Sequence, residues 1–130
     1  MSAVLLPHSA PRQAFDAAAL SGTLLVSEAT VAELDEVLRR PKFNKYVPAE
    51  LRLEFLAALL QKAQQVEVTE QIAVCRDAKD NKFLELAVSG RATHIVSGDK
   101  DLLALHPFRG IAILGPQDFL AALAIGQVKP

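Results

Sequence analysis

The chain has 130 residues, the size of one compact domain, because chains divide into separate hydrophobic cores only beyond about 250 residues. Hydrophobic residues make up 51% and charged residues 22%, which supplies a core and excludes intrinsic disorder. The formal net charge of -1 excludes a global positive field that would bind nucleic acid, so any contact with phosphates must be local. We therefore expect one domain over residues 1–130.

The first part of the chain is predicted to form a helix, a strand and a second helix. Alanine and leucine are the commonest residue types, and both favour helix. A proline in the first turn and a glycine just after the last turn predict a helix over residues 11–20. Residues 23–26 form an apolar run without alternation, which is typical of a strand covered on both faces. Ser27 caps the second helix, which we expect to end at Pro41.

The remaining sequence continues this alternation. The predicted elements are a helix from Pro48, a weak strand at 66–68, a helix from Asp80 to Gly90, a strand at 94–97, a short helix after it, a strand at 111–114 and a helix at 116–124. Apolar strands separated by helices indicate a mainly parallel sheet with helices on both faces, because parallel pairing needs crossover connections. The predicted fold class is α/β.

Acidic residues stand where a parallel sheet collects its ligands, beyond the carboxyl ends of the strands. They are Glu33 in the helix after the first strand, Asp80 at a helix start, and Asp99 with Asp101 after the strand ending at Ser97. Carboxylates gathered at one edge repel each other unless a cation lies among them, and their oxygens suit Mg²⁺ or Mn²⁺. Such an ion activates water and neutralises charge on a phosphoryl group, which is what cutting a phosphodiester requires.

Each acid also has an ordinary structural explanation. Glu33 fits a solvated acidic helix face, and Asp80 fits a helix cap. Turn formation and capping explain Asp99 and Asp101. The argument for a common site is that one topology places all of them at the same end of the sheet.

Three segments in the right order resemble the PIN domain family, and within it the subgroup described as toxins of toxin–antitoxin systems. They are residues 33–43 (ELDEVLRRPKF), 75–87 (CRDAKDNKFLELA) and 97–103 (SGDKDLL). The resemblance implies a three-layer α/β/α domain that acts as a Mg²⁺- or Mn²⁺-dependent endoribonuclease on RNA. It further implies a partner antitoxin protein.

The resemblance also assigns site residues. The catalytic and metal-binding acids of the family match Glu33, Asp80 and Asp99. Accessory positions match Asp77, Asp101 and the small hydroxyl residue Ser97. A local basic run near Glu33 is a candidate for contacting RNA phosphates, although a solvated helix end explains it about as well. Its members are Arg39, Arg40, Lys42 and Lys45.

The sequence departs from the family at its beginning. PIN domains open with an apolar strand ending in an aspartate, and nothing before Ser27 matches it. We therefore predict that the first, central strand is missing, either because an internal methionine was taken as the start or because the protein is shortened and has lost activity. Weak or absent cleavage is expected, together with homo-oligomerisation, because unpaired strand edges invite pairing with another chain.

A second function stays open beside the nuclease. It is a non-catalytic regulatory module that retains the PIN fold and binds RNA or protein. A receiver-like phosphoacceptor domain is disfavoured, because no strand ends in a lone aspartate followed by a later strand-ending lysine. No stretch of about 18 apolar residues is present and the N-terminus lacks a signal peptide, so we expect no membrane association and a cytoplasmic location.

Overall fold

The computed structural model describes residues 10–41 and 48–124. The elements in chain order are α1 (Ala10–Ser21), β1 (Leu25–Val26), α2 (Glu28–Leu38), α3 (Ala49–Lys62), β2 (Gln64–Gln65), a 3-10 turn (Ala78–Asp80), α4 (Asn81–Ser89), β3 (His94–Val96), α5 (Lys100–Leu103), β4 (Ala112–Leu114) and α6 (Pro116–Ala124). The predicted α/β class is confirmed. Across these two ranges, every helix is too short or too polar to cross a membrane.

The strands pair in parallel, as predicted, but in two separate sheets. In the first, Leu25 of β1 lies opposite Gln64 of β2. In the second, Ile95 of β3 lies opposite Ile113 of β4. Over the described residues β1 and β3 are not hydrogen-bonded to each other, so the sheet is divided between them.

Each sheet has its own hydrophobic cluster. The first cluster is built on Val26, Leu34, Leu38 and Leu59, with Phe15 and Phe55 packed against it. The second is built on Ile72, Leu84, Leu102 and Ile113. These clusters divide the molecule into a first half, with β1, β2, α2 and α3, and a second half, with β3, β4 and α5.

Helices α1 and α4 join the two halves. From α1, Phe15 packs on Phe55 of the first half, with ring centroids 5.1 Å apart, while the helix also packs along α6, which follows β4. From α4, Leu84 is fully buried in the second cluster, and the helix also contacts β1. The packing of these two helices therefore fixes how the halves sit against each other.

The ends of α2 illustrate what local sequence predicts and what it does not. The predicted cap is confirmed, because the Ser27 hydroxyl accepts a hydrogen bond from the Thr30 N–H and the Thr30 hydroxyl accepts one from the Ser27 N–H. The helix ends at Leu38, before the proline that was expected to stop it. The buried Arg52 guanidinium of α3 donates to the carbonyls of Leu38 (2.6 Å) and Arg40 (3.2 Å), which satisfies acceptors that a longer helix would have used.

Strand β2 was predicted at residues 66–68 and forms at Gln64–Gln65. The N–H groups of Gln64 and Val66 donate to the carbonyls of Leu24 and Val26, at 2.7 and 2.8 Å. Backbone pairing with β1 therefore sets the strand position, and both glutamine side chains stay exposed.

Candidate acidic site at the strand ends

The predicted acids come from three elements that span both halves of the molecule. Glu33 lies in the middle of α2, after β1. Asp80 ends the 3-10 turn and precedes α4. Asp99 and Asp101 follow β3, at the start of α5. Electrostatic coupling among these carboxyls indicates that the topology brings them into one neighbourhood.

Asp80 is the centre of this neighbourhood. It occupies the cap position of α4, but its side chain makes no capping hydrogen bond, so capping does not account for the carboxylate. Burial raises the pKa of Asp80, and a hydrogen bond to Asp99 with the negative charges of Asp99, Asp77 and Glu33 raises it further. The carboxyl groups of Asp80 and Asp99 are therefore close enough to share a proton.

Asp99 has a structural function in addition to this contact. Its Oδ1 accepts a hydrogen bond from the Asp101 N–H at 3.4 Å, which caps α5. Its own N–H donates to Ser97 Oγ at 3.0 Å. The turn and capping explanation of Asp99 is thus correct. The same hydrogen bonds also fix the Asp99 carboxylate at the end of β3.

Glu33 is held by a lysine that the sequence analysis did not single out. Lys82 Nζ lies 2.8 Å from Glu33 Oε1, and the two side chains are only 23% and 29% exposed. Glu33 is therefore paired and partly buried, where the structural explanation offered for it was a solvated acidic helix face. The only sequence signal for Lys82 was its place two residues after Asp80.

The segment before Asp80 lies against the same acids. Asp77 Oδ1 accepts the Lys79 N–H at 3.0 Å and caps the 3-10 turn. Burial raises the pKa of the Cys75 thiol, and the charges of Asp80, Asp99, Asp101 and Asp77 add to the effect. Asp77 and Asp101, the two accessory aspartates, therefore contribute to the negative charge of the site.

Two further side chains hold this segment on α4, and the sequence analysis missed them. Asn81 Oδ1 accepts the Cys75 N–H at 2.9 Å. Glu85 Oε2 accepts the Ile72 N–H at 3.0 Å. Asn81 and Glu85 lie four residues apart on one face of α4, but the backbone groups that they bind belong to an irregular segment, whose position against α4 local sequence does not reveal.

The predicted basic run is only partly described. Arg39 Nε pairs with Asp35 Oδ1 at 2.9 Å, and Arg40 with Glu36 at 3.8 Å, on the exposed surface of α2. The rise per residue of a helix places Arg39 about 9 Å along the axis from Glu33. Lys42 and Lys45 lie outside the described residues. The assignment of this run to RNA binding stays a prediction.

A divalent cation was predicted at these acids. In residues 10–41 and 48–124, no three acidic, histidine or cysteine side chains are arranged to hold one ion. The donor types nevertheless fit a hard cation, because the Asp80 and Asp99 carboxyls adjoin and their mutual repulsion is a cost that a cation removes. The charge of Glu33 acts on Asp80, so Glu33 lies in the same electrostatic neighbourhood, but its carboxylate is turned to Lys82.

The fold and the site define a class of α/β domain with acids gathered beyond the carboxyl ends of parallel strands. The sequence profile of the PIN domain family matches residues 1–101, so the chain belongs to the PIN domain family, and the predicted membership of that family is confirmed. This membership points to a nuclease-type function.

One curated relative is an uncharacterized protein of Methanocaldococcus jannaschii, 39% identical to this chain over 66 residues. The match covers 50% of this chain and 42% of the relative, so the chain spans under half the length of that protein. No solved structure matches the chain significantly.

Proposed function

We propose that this PIN domain is a divalent-metal-dependent endoribonuclease whose site is formed by Asp80, Asp99 and Glu33. The observation that supports it best is the Asp80–Asp99 carboxyl pair, contributed by two elements and not explained by capping on the Asp80 side. Keeping two acids in contact costs free energy, which a bound cation would recover.

The residues of the site would have different roles in binding the cation and in positioning its ligands. Asp80 and Asp99 would hold Mg²⁺ or Mn²⁺, with Glu33 as a third ligand. A bound ion of this kind supplies an activated water and neutralises negative charge on the phosphoryl group. Ser97 keeps Asp99 in place through the Asp99 N–H.

Proton release accompanies cation binding at this site. A proton held by Asp80 must leave before its carboxylate can bind a cation, so affinity rises with pH through the raised pKa of Asp80.

The substrate and partners rest on the family resemblance. We propose RNA as the substrate, with phosphates contacted by Arg39, Arg40, Lys42 and Lys45. We also propose that an antitoxin protein binds the domain, and that copies of the chain associate. A cytoplasmic location is part of the same proposal.

A second candidate is a non-catalytic module that binds RNA or protein. It is favoured by one observation, the ion pair that turns Glu33 toward Lys82. Metal titration separates the two candidates, because only the nuclease requires a cation bound by Glu33, Asp80 and Asp99.

The test is RNA cleavage with Mg²⁺, Mn²⁺ or a chelator, using Asp99→Asn and a matched control. Asp16→Asn is that control, because Asp16 is an exposed acid of α1 paired with Arg12 and belongs to no strand end. We expect metal-stimulated cleavage that Asp99→Asn abolishes and Asp16→Asn leaves unchanged. Cleavage that survives Asp99→Asn rejects the assigned site, and RNA binding without any metal binding supports the second candidate.

A further inference from the structure

Lys82 is a charged residue of the site that the proposed reaction does not use. It lies in the first turn of α4, and its ammonium reaches across to Glu33 of α2, 49 positions away in the chain. A pair this well shielded differs from most surface ion pairs, which contribute little because solvent screens them. The contact fixes the carboxylate of Glu33 in one direction.

Glu33 faces two competing demands. Its charge raises the pKa of Asp80, so the carboxylate lies within electrostatic reach of the Asp80–Asp99 pair. Its Oε1 is nevertheless bonded to an ammonium at 2.8 Å. A cation held by Asp80 and Asp99 would attract the same oxygen atoms that Lys82 now holds.

We propose that Lys82 is a positioning residue that competes with the divalent cation for Glu33, so that the Lys82–Glu33 ion pair opens when the cation takes Glu33 as a ligand. This inference rests on the proposed function. Lys82 thereby lowers the affinity of the site for the cation, and the free ammonium is left at the rim of the site, where phosphates would approach.

The experiment is calorimetric titration of the whole chain with Mn²⁺ alone, which requires no activity. Lys82→Met should tighten Mn²⁺ binding roughly fivefold, the equilibrium factor expected for losing a competing partly shielded ion pair. Lys82→Arg keeps the pair and should stay near the wild-type affinity. Lys79→Met removes an equal charge from an exposed position in the adjoining 3-10 turn and should change the affinity less than twofold.

A double-mutant cycle identifies the path of the effect. In a Glu33→Gln background, Lys82→Met should no longer tighten Mn²⁺ binding, because the contested ligand is gone. Equal tightening in both backgrounds, or an effect of Lys79→Met as large as that of Lys82→Met, would show a long-range charge effect and overturn the inference.

Asp99→Asn separates this inference from the proposed function. If Asp99→Asn abolishes Mn²⁺ binding while Lys82→Met leaves the affinity unchanged, the proposed site stands and the competition is refuted. If Asp99→Asn leaves Mn²⁺ binding intact, the proposed site itself fails, and the competition fails with it. Circular dichroism of each variant confirms that a lost signal does not come from an unfolded chain.

Discussion

Gly90, at the C-terminal end of α4, lies close against the first half of the molecule. A β-carbon added there would lie 2.7 Å from Leu25 Cδ1, 3.1 Å from Val66 Cγ2 and 3.2 Å from the Leu86 carbonyl oxygen. The backbone of Gly90 has a φ of -91°, which any residue can adopt. The effect of Gly90→Ala is therefore steric, and it falls on the contact between α4 and β1.

The expected cost follows from two opposing contributions. Overfilling a packed contact typically costs about 1–3 kcal/mol, and the Leu86 oxygen belongs to the backbone and cannot swing away. Replacing glycine by alanine stabilises by about 0.4–1 kcal/mol through the unfolded chain. Gly90→Ala should therefore lower the free energy of unfolding by about 1–2 kcal/mol, measured by urea unfolding followed by circular dichroism.

Two further variants make this prediction specific. Gly98→Ala is the matched control, because a β-carbon there meets nothing within 4 Å and the backbone φ is not positive. It should leave stability unchanged or raise it slightly. Truncating Leu25 to alanine in the Gly90→Ala background should cost less than in the wild type, since the crowded methyl is gone. Equal stabilities of Gly90→Ala and Gly98→Ala would refute the steric argument.

Three other predictions concern the core and the site. Leu84→Ala should destabilise by about 3–5 kcal/mol in the same urea assay because Leu84 is 0% exposed, whereas Leu53→Ala, at 46% exposure, should cost under about 1 kcal/mol. Folding raises the pKa of Asp80, so protonated Asp80 contributes stability that is present below its unfolded pKa and is lost as pH rises through its folded pKa. Asp80→Asn should therefore raise the Tm measured in chelator at about pH 7, and the increase should shrink toward about pH 4. Cys75 should be alkylated more slowly in the folded than in the unfolded chain at about pH 8, and faster after Asp99→Asn, because burial and neighbouring charges raise its pKa.

Local chemistry in the sequence was sufficient for much of the fold. Ser27 identified the start of α2, and Pro116 that of α6, because caps and first-turn prolines act within one helical turn. The exact end of α2 involves a contact that local sequence does not reveal, because Arg52, 14 residues later, donates to the Leu38 carbonyl. The helical spacing of the apolar residues in α3 predicts a wide buried stripe that includes Leu51 and Leu60, but both are exposed, since spacing does not reveal how wide a face the neighbours cover.

The candidate site was predictable in position and less so in detail. Topology placed Asp80 and Asp99 together without any contact being known. The Glu33–Lys82 pair depends on how α2 packs against α4, which local spacing does not encode. The division of the strands into two sheets is of the same long-range kind. The toxin subgroup and the absence of a first strand stay predictions.

The two separate hydrophobic clusters bear on how the site would come apart. Regions with independent cores tend to open as independent cooperative units. Glu33 belongs to one such unit and Asp99 to the other, so opening either unit removes a carboxylate from the cluster while the rest of the chain stays folded. Amide exchange in α2 and in β3 would then follow different protection energies, and loss of the acidic site would precede global unfolding.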